Sequence, residues 1–324
     1  MTPAGEPGGS ELLASPARRP DVFVVPTYAV GQVENVLRTT RLAASHGFSP
    51  VIVCNSAKTA ELLAADPIAR SVGDNMGYGG AAALVAPNVE FETMILCNDD
   101  LVFTDAAMGA LRSAVGCLGH DGDAIMGFLP RDRPLIIRIP GVLGLIGLVS
   151  GLSAVSRRRL ERQARRVCNI DRTTAGNDAQ PLPDGFGFPF VCIAFTRGAW
   201  DGLGGFDARF PLYFEDTDLL TRAHRSGTVQ VRVALGDCTH VHSATARTVL
   251  PYIVPLMSVG ARNYLQVHRR LPRTVAAILV TTALVIRAAF WVPVRPDRRT
   301  ELQAVLLAVA AAWSPRHPRM PPWS

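Results

Sequence analysis

Between residues 22 and 118 the chain alternates short apolar runs with amphipathic stretches, and each run stops at residues able to bind or catalyse. The runs at 22–25, 51–54 and 94–97 have strand length and β-branched or apolar content. The stretches 33–46, 59–65 and 105–118 carry helical spacing, with Gly47 placed to cap the first and Pro67 to end or kink the second. Strand, helix, strand with short links predicts right-handed crossovers, hence a Rossmann-like α/β fold: a mostly parallel central sheet with helices on both faces. Ligands bind such sheets at the carboxyl ends of the strands. The residues to inspect are therefore Pro26-Thr27-Tyr28, Asn55-Ser56 and Asn98-Asp99-Asp100.

Composition narrows the function classes. The 324 residues are 48% hydrophobic and 19% charged, which indicates a folded chain with ample core. The net charge of +6 comes almost wholly from arginine, since Lys58 is the only lysine. A basic balance suits nucleic acid, anionic lipid or a phosphorylated substrate. No zinc finger, helix-turn-helix or aromatic RNA-binding motif is present, so nucleic acid ranks last. The six cysteines form no CxxC pair, and Cys54, Cys97 and Cys192 stand in strand-like runs as small core residues, which fits a reducing cytoplasm. Residues 1–20, rich in Gly, Pro and Ser, read as a disordered tail without a signal core.

Three segments carry chemistry. Asn98-Asp99-Asp100 sets hard oxygen ligands at a strand end, suited to Mg²⁺ or Mn²⁺ on a diphosphate; turn-forming Asn and Asp in a strand-to-helix loop is the plainer reading. Asn75-Met76-Gly77-Tyr78-Gly79-Gly80 allows close backbone approach, and its amides could face an anion. Gly204-Gly205-Phe206-Asp207 is followed by Tyr213-Phe214-Glu215-Asp216-Thr217-Asp218, where three carboxylates fall within four positions. Such carboxylates must meet a cation, accept hydrogen bonds or hold a raised pKa, as a general base or metal site does; a solvated acidic helix start is the alternative.

In this order and spacing, the segments resemble the family 2 glycosyltransferases of the GT-A fold, particularly the rhamnosyltransferase-like branch, over roughly residues 21–247. The resemblance implies inverting transfer of a sugar from a nucleoside-diphosphate donor, dTDP- or UDP-linked and with rhamnose the first guess, with Mg²⁺ or Mn²⁺ as cofactor. By position, Pro26, Thr27 and Tyr28 with Asn55 match the nucleotide-binding strand ends. Asn75, Gly77, Tyr78, Gly79 and Gly80 would border nucleotide and sugar, beside Asp99. Asp100 matches the closing metal carboxylate, Asn98 its opening position, and His240 or His242 the histidine near the metal, with His240 favoured. Asp216 matches the general base, with Glu215 beside it and Asp218 and Arg222 in support. Cys54 departs from the family's usual aspartate, and Asn98 should weaken the metal site. Gln266-Val267-His268-Arg269-Arg270 only mimics the motif of processive members, so a single-addition transferase is expected.

The resemblance gives a transferase domain over 21–250, followed by a helical region over 251–324. Residues 134–166 form an apolar insertion with a basic flank, Arg157-Arg158-Arg159 and beyond; Arg138, Pro140 and the repeated glycines argue against a span. Residues 275–292 are again apolar, but Arg287 interrupts them, which suggests a helix pair on a membrane surface. Both regions fit a glycan or polyprenyl-linked acceptor and a protein held peripherally on the inner face of the cell membrane. A catalytically silent membrane-associated binding protein of the same fold is the main rival. A nucleotidyltransferase is disfavoured, because Pro26-Thr27-Tyr28-Ala29-Val30 lacks a Gly-rich basic loop.

Overall fold

A computed structural model describes residues 19–72, 75–118, 122–130, 136–152, 180–241, 250–318 and 320. The tail up to residue 18, the arginines from 157 to 166 and His242 lie outside the described residues.

In chain order the first half supplies β1 (Val22–Thr27), α1 (Val33–Ser45), β2 (Ser49–Cys54), α2 (Ala57–Leu62), β3 (Ala69–Ser71), α3 (Gly77–Val85), β4 (Thr93–Cys97), β5 (Leu101–Phe103) and α4 (Asp105–Gly116). The second half adds β6 (Ala124–Pro130), β7 (Ile137–Arg138), α5 (Val142–Ser150), β8 (Gln180–Pro181), β9 (Phe186–Gly187), β10 (Cys192–Thr196), α6 (Arg197–Leu203), α7 (Glu215–Ser226), β11 (Val229–Leu235) and β12 (Cys238–His240). Three helices close the chain: α8 (Leu250–Arg269), α9 (Arg273–Trp291) and α10 (Arg298–Trp313).

The central sheet runs β3-β2-β1-β4-β10-β6-β11-β8. Pairs among β3, β2, β1 and β4 are parallel, as is β6 with β11. The expected α/β architecture is present, with two antiparallel additions: β10 between β4 and β6, and the short β8 on the edge beside β11. Pleat alternation builds two cores. Phe23, Val25, Ile95, Cys97, Cys192 and Ala194 face one side, under α1 and α4. Val22, Val24, Met94, Leu96, Ile193 and Phe195 face the other, under α3, α6 and α7. Strands buried on both faces read as continuous apolar runs, which is why they are legible in the sequence. Cys54, Cys97 and Cys192 are buried and free, in line with a role as small core residues.

Strand order reverses between β1 and β4, since β2 and β3 lie to one side and the later strands to the other. β1 pairs with β4 only from Val22 to Val24, but with β2 as far as Thr27. Pro26 therefore sits beyond the β4 ladder, where its missing N–H costs nothing on that side. A crevice opens there between the two strand ends.

A third core joins the C-terminal helices to the rest. Phe210, Phe214, Leu145 and Val149 pack with Val254, Ala261 and Tyr264 of α8 and with the buried faces of α9 and α10. Arg262 of α8 donates to the Ala312 and Ser314 carbonyls (3.1 and 2.7 Å), capping the end of α10. Residues 136–152, the described part of the apolar insertion, form the short β7 and the nine-residue α5.

Candidate active site

The crevice between β1 and β4 is bridged by its own residues. The Tyr28 N–H donates to Asp99 Oδ2 (3.1 Å), tying the two strand ends together. From behind, Asn35 Nδ2 of α1 donates to the Asp99 and Leu101 carbonyls (2.7 and 2.8 Å), fixing the turn after β4. Asp99 is thereby turned towards β1, and burial and the Asp100 charge hold its pKa up at about 6 against the bonds from Tyr28 and Thr27.

Asp100 faces the other way. β5 pairs antiparallel with β12, setting His240 opposite Leu101, and the Val241 N–H donates to the Asp100 carbonyl (3.0 Å). His240 Nε2 comes to 2.9 Å from Asp100 Oδ1. Two members of the expected metal set therefore converge through a ribbon joining residues far apart in sequence. Asn98 lies half-buried at the end of β4, its N–H bonded to the Val191 carbonyl (2.9 Å). Among the described residues no cluster of three or more His, Cys, Asp or Glu is assembled. The Asp100 carboxylate suits Mg²⁺ or Mn²⁺ and the His240 imidazole is the less usual partner for Mg²⁺, so most of a cation's coordination would fall to water or a ligand's oxygens.

The glycine-rich segment, expected as a loop ahead of a helix, itself begins α3 at Gly77, and the two predicted asparagines stitch it down. Asn55 Oδ1 accepts from the Met76 N–H (3.3 Å), and Asn75 Oδ1 from the Gly77 N–H (3.0 Å). Its glycines answer to packing against the Gly204–Phe214 segment. A Cβ on Gly77, whose φ is +75°, would fall 1.8 Å from the Pro211 carbonyl oxygen, and one on Gly79 would fall 2.8 Å from the Phe206 ring. Gly80 is likewise closed off, by Met76. Phe206 completes an aromatic cluster with Phe190, Phe195 and Trp200. Tyr78, expected beside the sugar, is 5% exposed and donates its hydroxyl to the Leu96 carbonyl (2.8 Å), so its side chain pins α3 to β4.

The acidic block starts α7 after an unusual backbone. Tyr213 and Phe214 are consecutive non-glycine residues in the left-handed region, with φ of 63° and 70°. Such a pair is strained and persists only where packing enforces it. Here Phe214 is buried against Tyr264, and Gly260 of α8 leaves room for Phe214 and the Tyr213 carbonyl.

Beyond the turn the carboxylates divide. Asp218 is buried and fully paired: Arg222 Nε and Nη2 reach its Oδ2 (3.0 and 2.7 Å), and His268 Nε2 its Oδ1 (2.7 Å). Arg225 donates to His268 Nδ1 (2.9 Å), so Nε2 carries the hydrogen that Asp218 accepts. Asp216 Oδ1 accepts from both the N–H and the hydroxyl of Thr217. These bonds oppose the burial that raises its pKa. Glu215 has less relief: its Oε2 is shut from solvent without a hydrogen-bond partner, and burial with the Asp216 charge, against a bond from its own backbone, pushes its pKa up to about 8. Glu215, at about 8, keeps its proton at neutral pH, while the Thr217 bonds favour the charged form of Asp216 against the burial that raises it.

Tyr28 is where the motifs meet. Burial, then the charges of Asp99 and Glu215, raise its phenol well above the usual value, with the Asn55 hydrogen bond acting against them. Asp99 at the end of β4 and Glu215 of α7 thus both act electrostatically on Tyr28. His268 and Asn35 were missed as site residues in the sequence, where nothing in local spacing ties them to Asp218 or Asp99.

No family model and no curated protein matches this chain. Among solved structures it is similar to a mannosyltransferase from Pyrobaculum calidifontis in complex with GDP-Man and Mn²⁺, at 14% identity over 93% of this chain and 89% of that one, with a TM-score of 0.49. It is also similar to a mycobacterial protein, at 17% identity over 79% and 80% of the two chains and a TM-score of 0.43. An inositol-1-phosphate CTP transferase from T. maritima aligns at 12% identity over 75% and 96%, with a TM-score of 0.40. Likenesses of this strength say nothing of substrate or reaction.

Proposed function

We propose that the protein is an inverting glycosyltransferase that moves a sugar from a nucleoside-diphosphate donor to a hydroxyl of a glycan or lipid-linked acceptor. The observation that carries this reading is the division of labour between the strand ends and the start of α7. The strand ends offer a carboxylate paired with a histidine, and the start of α7 an enclosed carboxylate pair whose Glu215 holds its proton at neutral pH.

The donor nucleotide would lie across the β1 and β2 ends, on Pro26, Thr27, Tyr28 and Asn55, with the segment from Asn75 to Gly80 along its sugar. Asp100 and His240 would hold Mg²⁺ or Mn²⁺, which when bound neutralises charge developing on the leaving diphosphate. Asp216 would take the acceptor hydroxyl's proton as that oxygen attacks the anomeric carbon from the face opposite the leaving group. One displacement needs one base, and the protonated Glu215 beside it adds no second negative charge. Rhamnose from a dTDP donor is the first sugar to try, on the sequence resemblance.

The test is a thermal-shift panel of dTDP, UDP and GDP, each with and without Mn²⁺, on wild type and Asp100→Ala. A nucleotide at a hundred times its dissociation constant stabilises by about 2.7 kcal/mol. The expected result is metal-dependent stabilisation by one nucleotide, lost in Asp100→Ala. No shift with any nucleotide would overturn the donor site, and binding without turnover would favour a silent binding protein.

A further inference from the structure

The outer face of the C-terminal helices carries an apolar surface that the transferase reading leaves unused. α9 packs against both α5 and α10, so the three form one layer over α8. Along α9 the exposed line runs Val275, Ile278, Thr282, Val285, Ala289 and Phe290, with no charged residue in it. α10 continues the surface with Leu302, Leu306, Leu307 and Trp313, and α5 with Leu143, which is 84% exposed. A contiguous surface of this kind on three adjacent helices marks a partner rather than scattered exposed side chains.

The ends of the layer are basic. Arg273 opens α9 and donates to the Trp313 carbonyl (2.9 Å), so one end joins an arginine to an exposed indole. At the other end stand Arg295, Arg298 and Arg299, all exposed, with Arg295 over the Trp291 ring. Asp297, the acid among them, caps α10 through Thr300. Uncharged middle, arginines and tryptophans at the edges: this is the pattern of helices lying in a headgroup region.

We infer that this face lies flat on an anionic lipid bilayer. A second copy is the weaker occupant, because a twofold pairing through the same face would oppose basic edges, whereas an anionic leaflet complements them. A span is also disfavoured. α9 is long and apolar enough to cross a membrane. Crossing would strip Ala276, Val280, Ala283 and Leu284 from their buried contacts and separate Arg287 from Glu301, which pair at 2.7 Å. Lying on the surface keeps all of these. The inference is independent of the donor-site reading.

The experiment is co-sedimentation of the full chain with phosphatidylcholine vesicles, with and without phosphatidylglycerol, followed by the same assay on two variants. Wild type should bind the phosphatidylglycerol vesicles, more weakly as salt rises. The triple variant Ile278→Glu, Val285→Glu, Leu306→Glu should lose more than about tenfold in binding. Arg295→Gln, Arg298→Gln, Arg299→Gln should lose about tenfold or more, on the anionic vesicles alone. A thermal melt checks that each variant folds, and surface positions make that the expected result. Four outcomes would overturn the inference: no vesicle binding by wild type, undiminished binding by the triple variant, a lipid-free dimer that the triple variant splits, or wild type resisting alkaline extraction from membranes as a span does. A nucleotide thermal shift without vesicle binding sinks this inference alone; vesicle binding without any nucleotide shift sinks the donor site alone.

Discussion

Glu215 and Asp216 share a chemistry and differ in surroundings, and two predictions follow from that difference. Thr217 supplies Asp216 with two hydrogen bonds, while Glu215 Oε2 has none. Asp216 is therefore the member of the pair whose charged form is better held, and the one proposed as the base. Asp216→Asn should lower turnover by about 10²- to 10⁴-fold, the usual worth of a general base, while the nucleotide-induced thermal shift stays at its wild-type size. Normal turnover in that variant would end the assignment. Glu215→Gln addresses the other half of the pair. The native pKa of Glu215 is about 8 against an ordinary 4.5, so between those values the folded chain holds a proton that the unfolded chain has lost. Stability from this group is complete below the ordinary value and is lost as pH rises through about 8. The neutral glutamine escapes that loss. Melting temperatures measured across pH should thus show Glu215→Gln gaining on wild type from acid to alkaline conditions. A constant offset across the range would mean that Glu215 ionises normally.

At the scale of elements, the catalytic pair depends on a turn that two helices hold in place. α7 begins straight after Tyr213 and Phe214, whose left-handed backbone costs roughly 1–2 kcal/mol per residue without outside support. The support is Gly260 of α8, where an added Cβ would fall 2.9 Å from both the Phe214 ring and the Tyr213 carbonyl oxygen. Gly260→Ala should destabilise by about 1–3 kcal/mol in urea unfolding, as overpacking does, and should cut turnover. Nucleotide binding should survive, because the β1 and β2 ends do not rest on this contact; its loss would show that the two halves of the site are not separable. None of this was visible along the chain, since Gly260 lies in a helix with nothing local to mark it. The strands were legible because each is buried on both faces, and their end residues followed once the fold class was set. Gly77 and Gly79 open α3 rather than a loop ahead of it, and what approaches them is Pro211 and Phe206 of this chain. The antiparallel β10 carries the same apolar signature as its parallel neighbours, and direction leaves no mark in a five-residue run. His268 sits in a stretch of sequence that imitates another motif, and only the packing of α8 on α7 brings it to Asp218.

For the whole molecule, the C-terminal layer and the site are mechanically continuous, because the third core that buries the C-terminal helices also holds the Tyr213–Phe214 turn against α8. The layer contains one buried ion pair across its outer helices: Arg287 of α9 and Glu301 of α10, with side chains 12% and 1% exposed. Arg287 looked in sequence like an interruption of an apolar segment, yet it is enclosed by that partner. Desolvating both charges offsets much of their attraction, so the pair contributes little net stability, whereas either ion left alone is costly. Arg287→Leu should therefore destabilise by about 3–5 kcal/mol, because it strands the Glu301 carboxylate beneath α9. Arg287→Leu combined with Glu301→Leu should restore most of that loss and could exceed wild type by about 1–4 kcal/mol. Urea unfolding of the wild type, both single variants and the double variant closes the cycle. A large coupling with a stable double variant would mean that the apolar contacts of α9 and α10 hold the layer and that the ion pair sets which residues meet. Singles that cost little would mean that water reaches the pair, which its low exposure argues against. Additive losses would mean that each leucine fails on packing alone, and the layer would then depend on shape at these two positions rather than on charge.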